Sequence, residues 1–147
     1  MSSAFATVTS ADRGWAVDTS VAVAALDAAH AAHSICLDIV RRHHPALAGH
    51  AAFETFSVLT RMSGPMSIDA STAAHAIELA FPGACWLSGA ESSRLLARLG
   101  RIGIVGGAVY DALVAEAARR NGRRLLTRDG RALRTYDLIG VDHVLVE

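Results

Sequence analysis

The sequence predicts an α/β fold with a mainly parallel central sheet flanked by helices. Three observations predict it. Short apolar runs stand at residues 15–18, 47–50, 84–87, 124–127 and 143–146, each strand-sized. The stretches between them carry apolar residues at helical spacing. Cap and turn residues fall at the joins, among them Asp18-Thr19-Ser20, Pro45, Gly64-Pro65, Pro82-Gly83 and Asp129-Gly130. Short strands alternating with helices argue for a parallel sheet with crossover helices.

Taken in order, residues 1–13 are small and polar without a period and read as a flexible leader; residues 14–147 form one domain. A buried strand at 15–18 ends on Asp18, and three possible caps then open a helix over 19–26. A second helix covers 31–43 and stops before Pro45. A very short strand at 47–50 leads into a helix over 51–62, broken by Gly64-Pro65. The next helix spans 69–81, with Asp69 or Ser67 as cap and Pro82-Gly83 at its end. After the candidate strand at 84–87, Ser88-Gly89-Ala90-Glu91 fits a capping box and opens a helix to about 99. Glycines 100, 103, 106 and 107 mark a loop before a helix that runs to about Arg120. A strand at 124–127, one or two helical turns over 131–137 and a last strand at 143–146 complete the chain.

At 147 residues and 52% hydrophobic, the chain suits a single globular domain with a proper core. Arg and Lys total 14 against 14 acids, so global charge says nothing of nucleic acid. Every one of those basic residues is arginine, and ten lie between Arg94 and Arg134. Arginine suits bidentate phosphate contact, but together with the alanine-rich composition it is better read as the codon bias of a GC-rich genome. Cys36 and Cys85 stand apart, as buried thiols of a reducing compartment do. No apolar run has membrane-spanning length, and the N-terminus lacks a signal-peptide pattern. The expected location is cytoplasmic, with no membrane association.

The chemistry centres on residues 106–115. Asp111 shares its helical face with Ala108, Val114, Ala115 and Ala118, a small apolar face made for packing on a sheet. A carboxylate there is costly unless paired. An acid in a first helical turn also suits the helix dipole, so this helix alone does not decide its role. Asp18 ends the first strand and Asp129 follows a later one, and in open α/β sheets ligands bind beyond the carboxyl ends of strands. Three acids thus converge if those strands are neighbours. Glu54, at the margin of its helix's apolar arc, is the fourth candidate; taken alone it reads as a solvated helix edge. Clustered carboxylates repel one another, and a divalent cation relieves that. Oxygen ligands suit Mg²⁺, with Mn²⁺ as substitute, rather than zinc.

Val-Asp-Thr-Ser at 17–20, the helical Glu in Ala-Phe-Glu-Thr-Phe-Ser-Val-Leu-Thr-Arg at 52–61, Gly-Gly-Ala-Val-Tyr-Asp-Ala-Leu at 106–113 and Leu-Leu-Thr-Arg-Asp at 125–129 occur in that order. Together they resemble a PIN domain, more narrowly a VapC-type ribonuclease of a bacterial toxin–antitoxin pair. The resemblance runs from about residue 15 to the C-terminus; the leader departs from it, since similar chains begin close to the first strand. It implies a PIN-like three-layer fold and a Mg²⁺-dependent endoribonuclease toxin, neutralised by a small cognate antitoxin and acting as a homodimer. The family's four acids, catalytic and metal-binding, fall on Asp18, Glu54, Asp111 and Asp129. Ser20 matches the hydroxyl residue that supports the first acid, and Thr127 lies where some members carry another polar group. Metal-assisted, in-line attack of water on the RNA phosphodiester is implied, leaving a 5′-phosphate and a 3′-hydroxyl. The alternative is a non-catalytic PIN-like module that binds RNA or a protein; it has no need of four like charges.

Three other signals carry less. His30 and His33 lack a third ligand at a usual spacing. The glycines at 100–107 fit neither a dinucleotide nor a Walker motif and follow a helix. Arg119 and Arg120 are candidate RNA-phosphate contacts, although cations also favour a helix C-terminus.

Overall fold

A computed structural model describes residues 14–64 and 67–147; the leader at 1–13 and Pro65 of the helix break lie outside the described residues. Four parallel strands, β1 (Trp15–Val17), β2 (Ala46–Leu47), β3 (Arg124–Thr127) and β4 (His143–Leu145), form one sheet in the order β2-β1-β3-β4. Seven α-helices among the described residues flank it: α1 (Thr19–Leu26), α2 (His33–His43), α3 (Ala51–Arg61), α4 (Ala70–Ala80), α5 (Gly89–Ile102), α6 (Ala108–Arg120) and α7 (Leu133–Ile139). A parallel sheet covered on its faces should have apolar strands, and Ala16, Val17, Leu125 and Leu126 are all buried.

The topology places the site. From β1 the chain crosses to β2 on one side, then returns through α3–α6 to β3 on the other. The order therefore reverses between β1 and β3, which pair with Val17 opposite Leu126. A crevice opens beyond the strand ends at such a switch point. Asp18 and Asp129 follow the two strands that border it.

The expected caps form. Asp18 accepts from the backbone of Ser20 and Val21 at the start of α1. Asp69, not Ser67, caps α4 through Thr72 N at 2.8 Å. Ser88 and Glu91 close both bonds of the capping box of α5. Some boundaries move by one to three residues: α2 starts at His33, after a turn, and α5 continues to Ile102.

One expected strand is absent. Residues 84–87 are irregular, with Cys85 buried and Trp86 exposed. A strand needs a ladder, and the sheet offers none here. β2 is only two residues long, and the chain turns at Gly49, whose φ is +50°. That same turn ends the expected strand at 47–50 after Leu47. Gly49 N still donates to Cys85 O at 2.8 Å. A side chain at Gly49 would be doubly disfavoured: the backbone is left-handed, and a Cβ would sit 2.9 Å from Ala117 Cβ of α6. Gly49→Ala is expected to cost about 1–3 kcal/mol of stability by urea unfolding; a loss below about 0.5 kcal/mol would mean the close approach of this turn to α6 yields freely.

The arginines find internal partners. Arg98 donates to Leu138 O and Ile139 O, tying α5 to α7. Arg123 donates to Trp15 O, and the Arg124 guanidinium lies 4.4 Å from the Trp15 ring centre. Arg119 pairs with the buried Glu116, and Arg120 with Glu91 at 3.2 Å. The last two were candidate phosphate contacts, and each already holds a carboxylate. Both sit at the far end of α6 from Asp111, about 12 Å along the axis at 1.5 Å per residue. His30 and His33 each spend a ring nitrogen on backbone, with Ala32 N and Ala24 O respectively. Cys36 and Cys85 are free thiols, both buried.

Candidate active site

Asp18, Glu54, Asp111 and Asp129 line one cavity of about 250 Å³, together with Thr19, Ser20, Val114 and Tyr136. Four acids from four separate segments of the chain meet at the switch point. Each arrives by a local device. Asp18 is the first residue after β1 and caps α1. Glu54 and Asp111 lie in the first turns of α3 and α6, where the dipole favours a negative charge. Asp129 caps the short 3₁₀ turn after β3, accepting from Arg131 N at 3.0 Å.

Asp18 is the most enclosed, 5% exposed. Its Oδ1 accepts from Ser20 N at 3.1 Å, Ser20 Oγ at 2.5 Å and Val21 N at 3.4 Å. Its Oδ2 accepts from the Tyr136 hydroxyl at 2.7 Å. Ser20 Oγ in turn accepts from Arg128 N at 2.8 Å, so it links the two strand ends. Thr127 is fully buried at the end of β3. Its Oγ1 accepts from Asp129 N at 3.0 Å and lies 3.4 Å from Ser20 Oγ. The two hydroxyl residues thus form a polar floor between Asp18 and Asp129.

Sequence reasoning missed Tyr136. It lies in a segment that shows only one or two helical turns, and its partner is 118 residues away. Burial first, then the Asp18 carboxylate, push its hydroxyl far above the ordinary tyrosine value, so it remains a donor. Thr19 was likewise read only as a cap residue. Its hydroxyl oxygen is buried on the cavity wall and has no hydrogen-bond partner.

The acids feel one another. Burial, then the charges of Asp129, Glu54 and Asp18, raise Asp111 to about 6, against the pull of Arg131. Burial also raises Glu54, with His50 opposing and Asp18 adding. The folded protein therefore holds the Asp111 proton more tightly than the unfolded chain does. Ionising Asp111 costs stability, and that cost disappears as pH falls through its folded value. The metal-free protein is expected to gain stability from about pH 7.5 to about 5.5. Asp111→Asn should lack this increment, and the difference between the two proteins cancels the histidines. Identical pH slopes in urea unfolding would contradict the shift.

Among the described residues, no three His, Cys, Asp or Glu side chains stand close enough to form a metal cage by themselves. The four acids line a cavity rather than close on a point. Mg²⁺ does not require a cage, since it keeps several waters and uses few carboxylates. The donor set fits such a hydrated ion. It is all hard oxygen, it is mutually repelling, and an unpartnered hydroxyl on Thr19 awaits an acceptor or donor.

A family model described as PIN domain matches residues 16–138. Over 131 residues the chain is 44% identical to Ribonuclease VapC27 of Mycobacterium tuberculosis (strain ATCC 25618 / H37Rv), covering 89% of this chain and 95% of that protein. Over 133 residues it is 39% identical to Ribonuclease VapC40 of Mycobacterium tuberculosis (strain CDC 1551 / Oshkosh), covering 89% and 98%.

Proposed function

The chain belongs to the PIN domain family, and from that premise we propose that it is a VapC-type, Mg²⁺-dependent endoribonuclease with Asp18, Glu54, Asp111 and Asp129 as its metal-binding and catalytic acids. The observation that carries the reading is the single cavity lined by all four acids at the switch point. The ribonuclease names of its relatives supply the substrate class.

Each residue has a part. Asp18, gripped from both sides, is the fixed reference ligand. Asp111, raised to about 6 by burial and then by the charges of Asp129, Glu54 and Asp18, would be stabilised in its ionised form by a cation, which offsets both causes. Asp129 and Glu54 extend the negative wall on either side. Ser20 and Thr127 hold Asp18 and the Asp129 loop in register. Bound there, Mg²⁺ would acidify water and neutralise the charge growing on the scissile phosphate. Hydrolysis of this kind leaves a 5′-phosphate and a 3′-hydroxyl and uses neither histidine nor the ribose hydroxyl. A pure binding module would gain nothing from keeping Asp111 in so costly a place.

The same reading carries a small cognate antitoxin as partner, a homodimer and a cytoplasmic location. Among the described residues no helix is long and apolar enough to cross a membrane. Incubating the purified chain with bulk RNA tests the proposal. Cleavage with Mg²⁺ or Mn²⁺ that stops on adding EDTA supports it; intact RNA under all metal conditions refutes it.

A further inference from the structure

Asp18 can offer a cation only part of its carboxylate. An ionised carboxylate has about four lone-pair positions, two on each oxygen. Oδ1 already faces three donors, Ser20 N, Ser20 Oγ and Val21 N. It has nothing left for a metal. Oδ2 accepts from the Tyr136 hydroxyl, which leaves one position. Asp18 and Tyr136 border the same cavity.

Tyr136 is well placed to decide where that position points. Its side chain is 1% exposed, and its ring packs edge-on against His143 with centres 5.8 Å apart. Thr127, whose oxygen accepts from Asp129 N, lies 3.4 Å from Ser20 Oγ, which donates to Asp18 Oδ1. Polar contacts therefore run from the Asp129 backbone through Thr127 and Ser20 to Oδ1 of Asp18, while Tyr136 holds Oδ2 from the other side. The phenol cannot swing away, and the carboxylate cannot rotate without losing it.

We propose that Tyr136 is a positioning residue for cation binding: its hydroxyl locks the Asp18 carboxylate so that the last open position on Oδ2 faces the acid cavity. The inference rests on the metal-dependent nuclease reading and adds a residue to its machinery. Partners behind a metal ligand commonly contribute about 10–100-fold to metal affinity.

The test is Mn²⁺ binding, read from the electron paramagnetic resonance signal of free Mn²⁺, on wild type and Tyr136→Phe. Melting of both in EDTA accompanies it. Phe keeps the ring packing and removes only the donor. The expected result is affinity weakened by about tenfold or more, with the variant still folded in EDTA. A merely structural tyrosine would lower the EDTA melting temperature and leave the affinity of the folded variant unchanged; that result overturns the inference while the nuclease reading stands. Wild type that binds no Mn²⁺ overturns both. A second measurement needs no variant. The buried Tyr136 hydroxyl proton should give a slowly exchanging NMR signal that moves on Mg²⁺ addition, and a signal that stays in place under saturating Mg²⁺ overturns the inference.

Discussion

Asp111→Asn is expected to lower the rate of RNA cleavage by about a hundredfold or more, equivalent to roughly 2.7 kcal/mol of transition-state stabilisation. The fold should survive. Asn has nearly the shape of Asp, and the neighbours of Asp111 on α6, Val114, Ala115 and Ala118, are buried. The substitution removes one charge from a cavity where Asp129, Glu54 and Asp18 all oppose it. The metal-free variant should therefore melt at or above the wild-type temperature near neutral pH. The site loses an anionic ligand at the same time, so the cation is misplaced or absent. A purely helix-capping Asp111 predicts the reverse: a loss of about 1 kcal/mol or less in stability and untouched activity. Cleavage of bulk RNA and melting in EDTA, on one preparation, separate the two. Full activity in the variant would remove Asp111 from the mechanism.

The second large effect is on the wild-type protein. On the proposed reading Mn²⁺ or Mg²⁺ should bind the assembled acid cavity and not the unfolded chain, and so shift the folding equilibrium. At a hundred times the dissociation constant the gain is about 2.7 kcal/mol. For a domain of this size that corresponds to a rise of roughly 5–10 °C in melting temperature. EDTA should reverse it, and Asp111→Asn should blunt it. A melting curve that millimolar Mn²⁺ leaves unmoved would mean the four carboxylates are not a cation site.

Much of this was legible in the sequence because the site is built from element ends. Apolar runs mark β1 and β3, and the acids at the crevice follow them, Asp18 directly after Val17 and Asp129 two residues beyond the end of β3 at Thr127. The pattern of α6 showed Asp111 on a packing face, where a charge needs a reason. That β1 and β3 are neighbours was a condition the sequence left open, and the sheet order meets it. What the sequence did not show shares a cause. Residues 84–87 have the composition of a strand, but a strand is a pairing, and composition does not reveal whether a neighbour exists. For the arginines from 94 to 134 the sequence left phosphate contact, codon bias and a solvated helix end all open. Glu116 is a same-helix partner of Arg119, but Glu91, Trp15 and the carbonyls of α7 come from elements that only the fold brings near. Tyr136 is the sharpest case: nothing within ten residues of it signals a bond to Asp18.

The most direct test of the central claim is the chemistry of the RNA ends made by the wild-type chain, with Mg²⁺ and with EDTA. Metal-assisted attack of water predicts 5′-phosphate and 3′-hydroxyl ends, formed only with the cation. Cleavage that persists in EDTA, or that leaves 2′,3′-cyclic phosphates, would place the reaction outside the four acids and contradict the account.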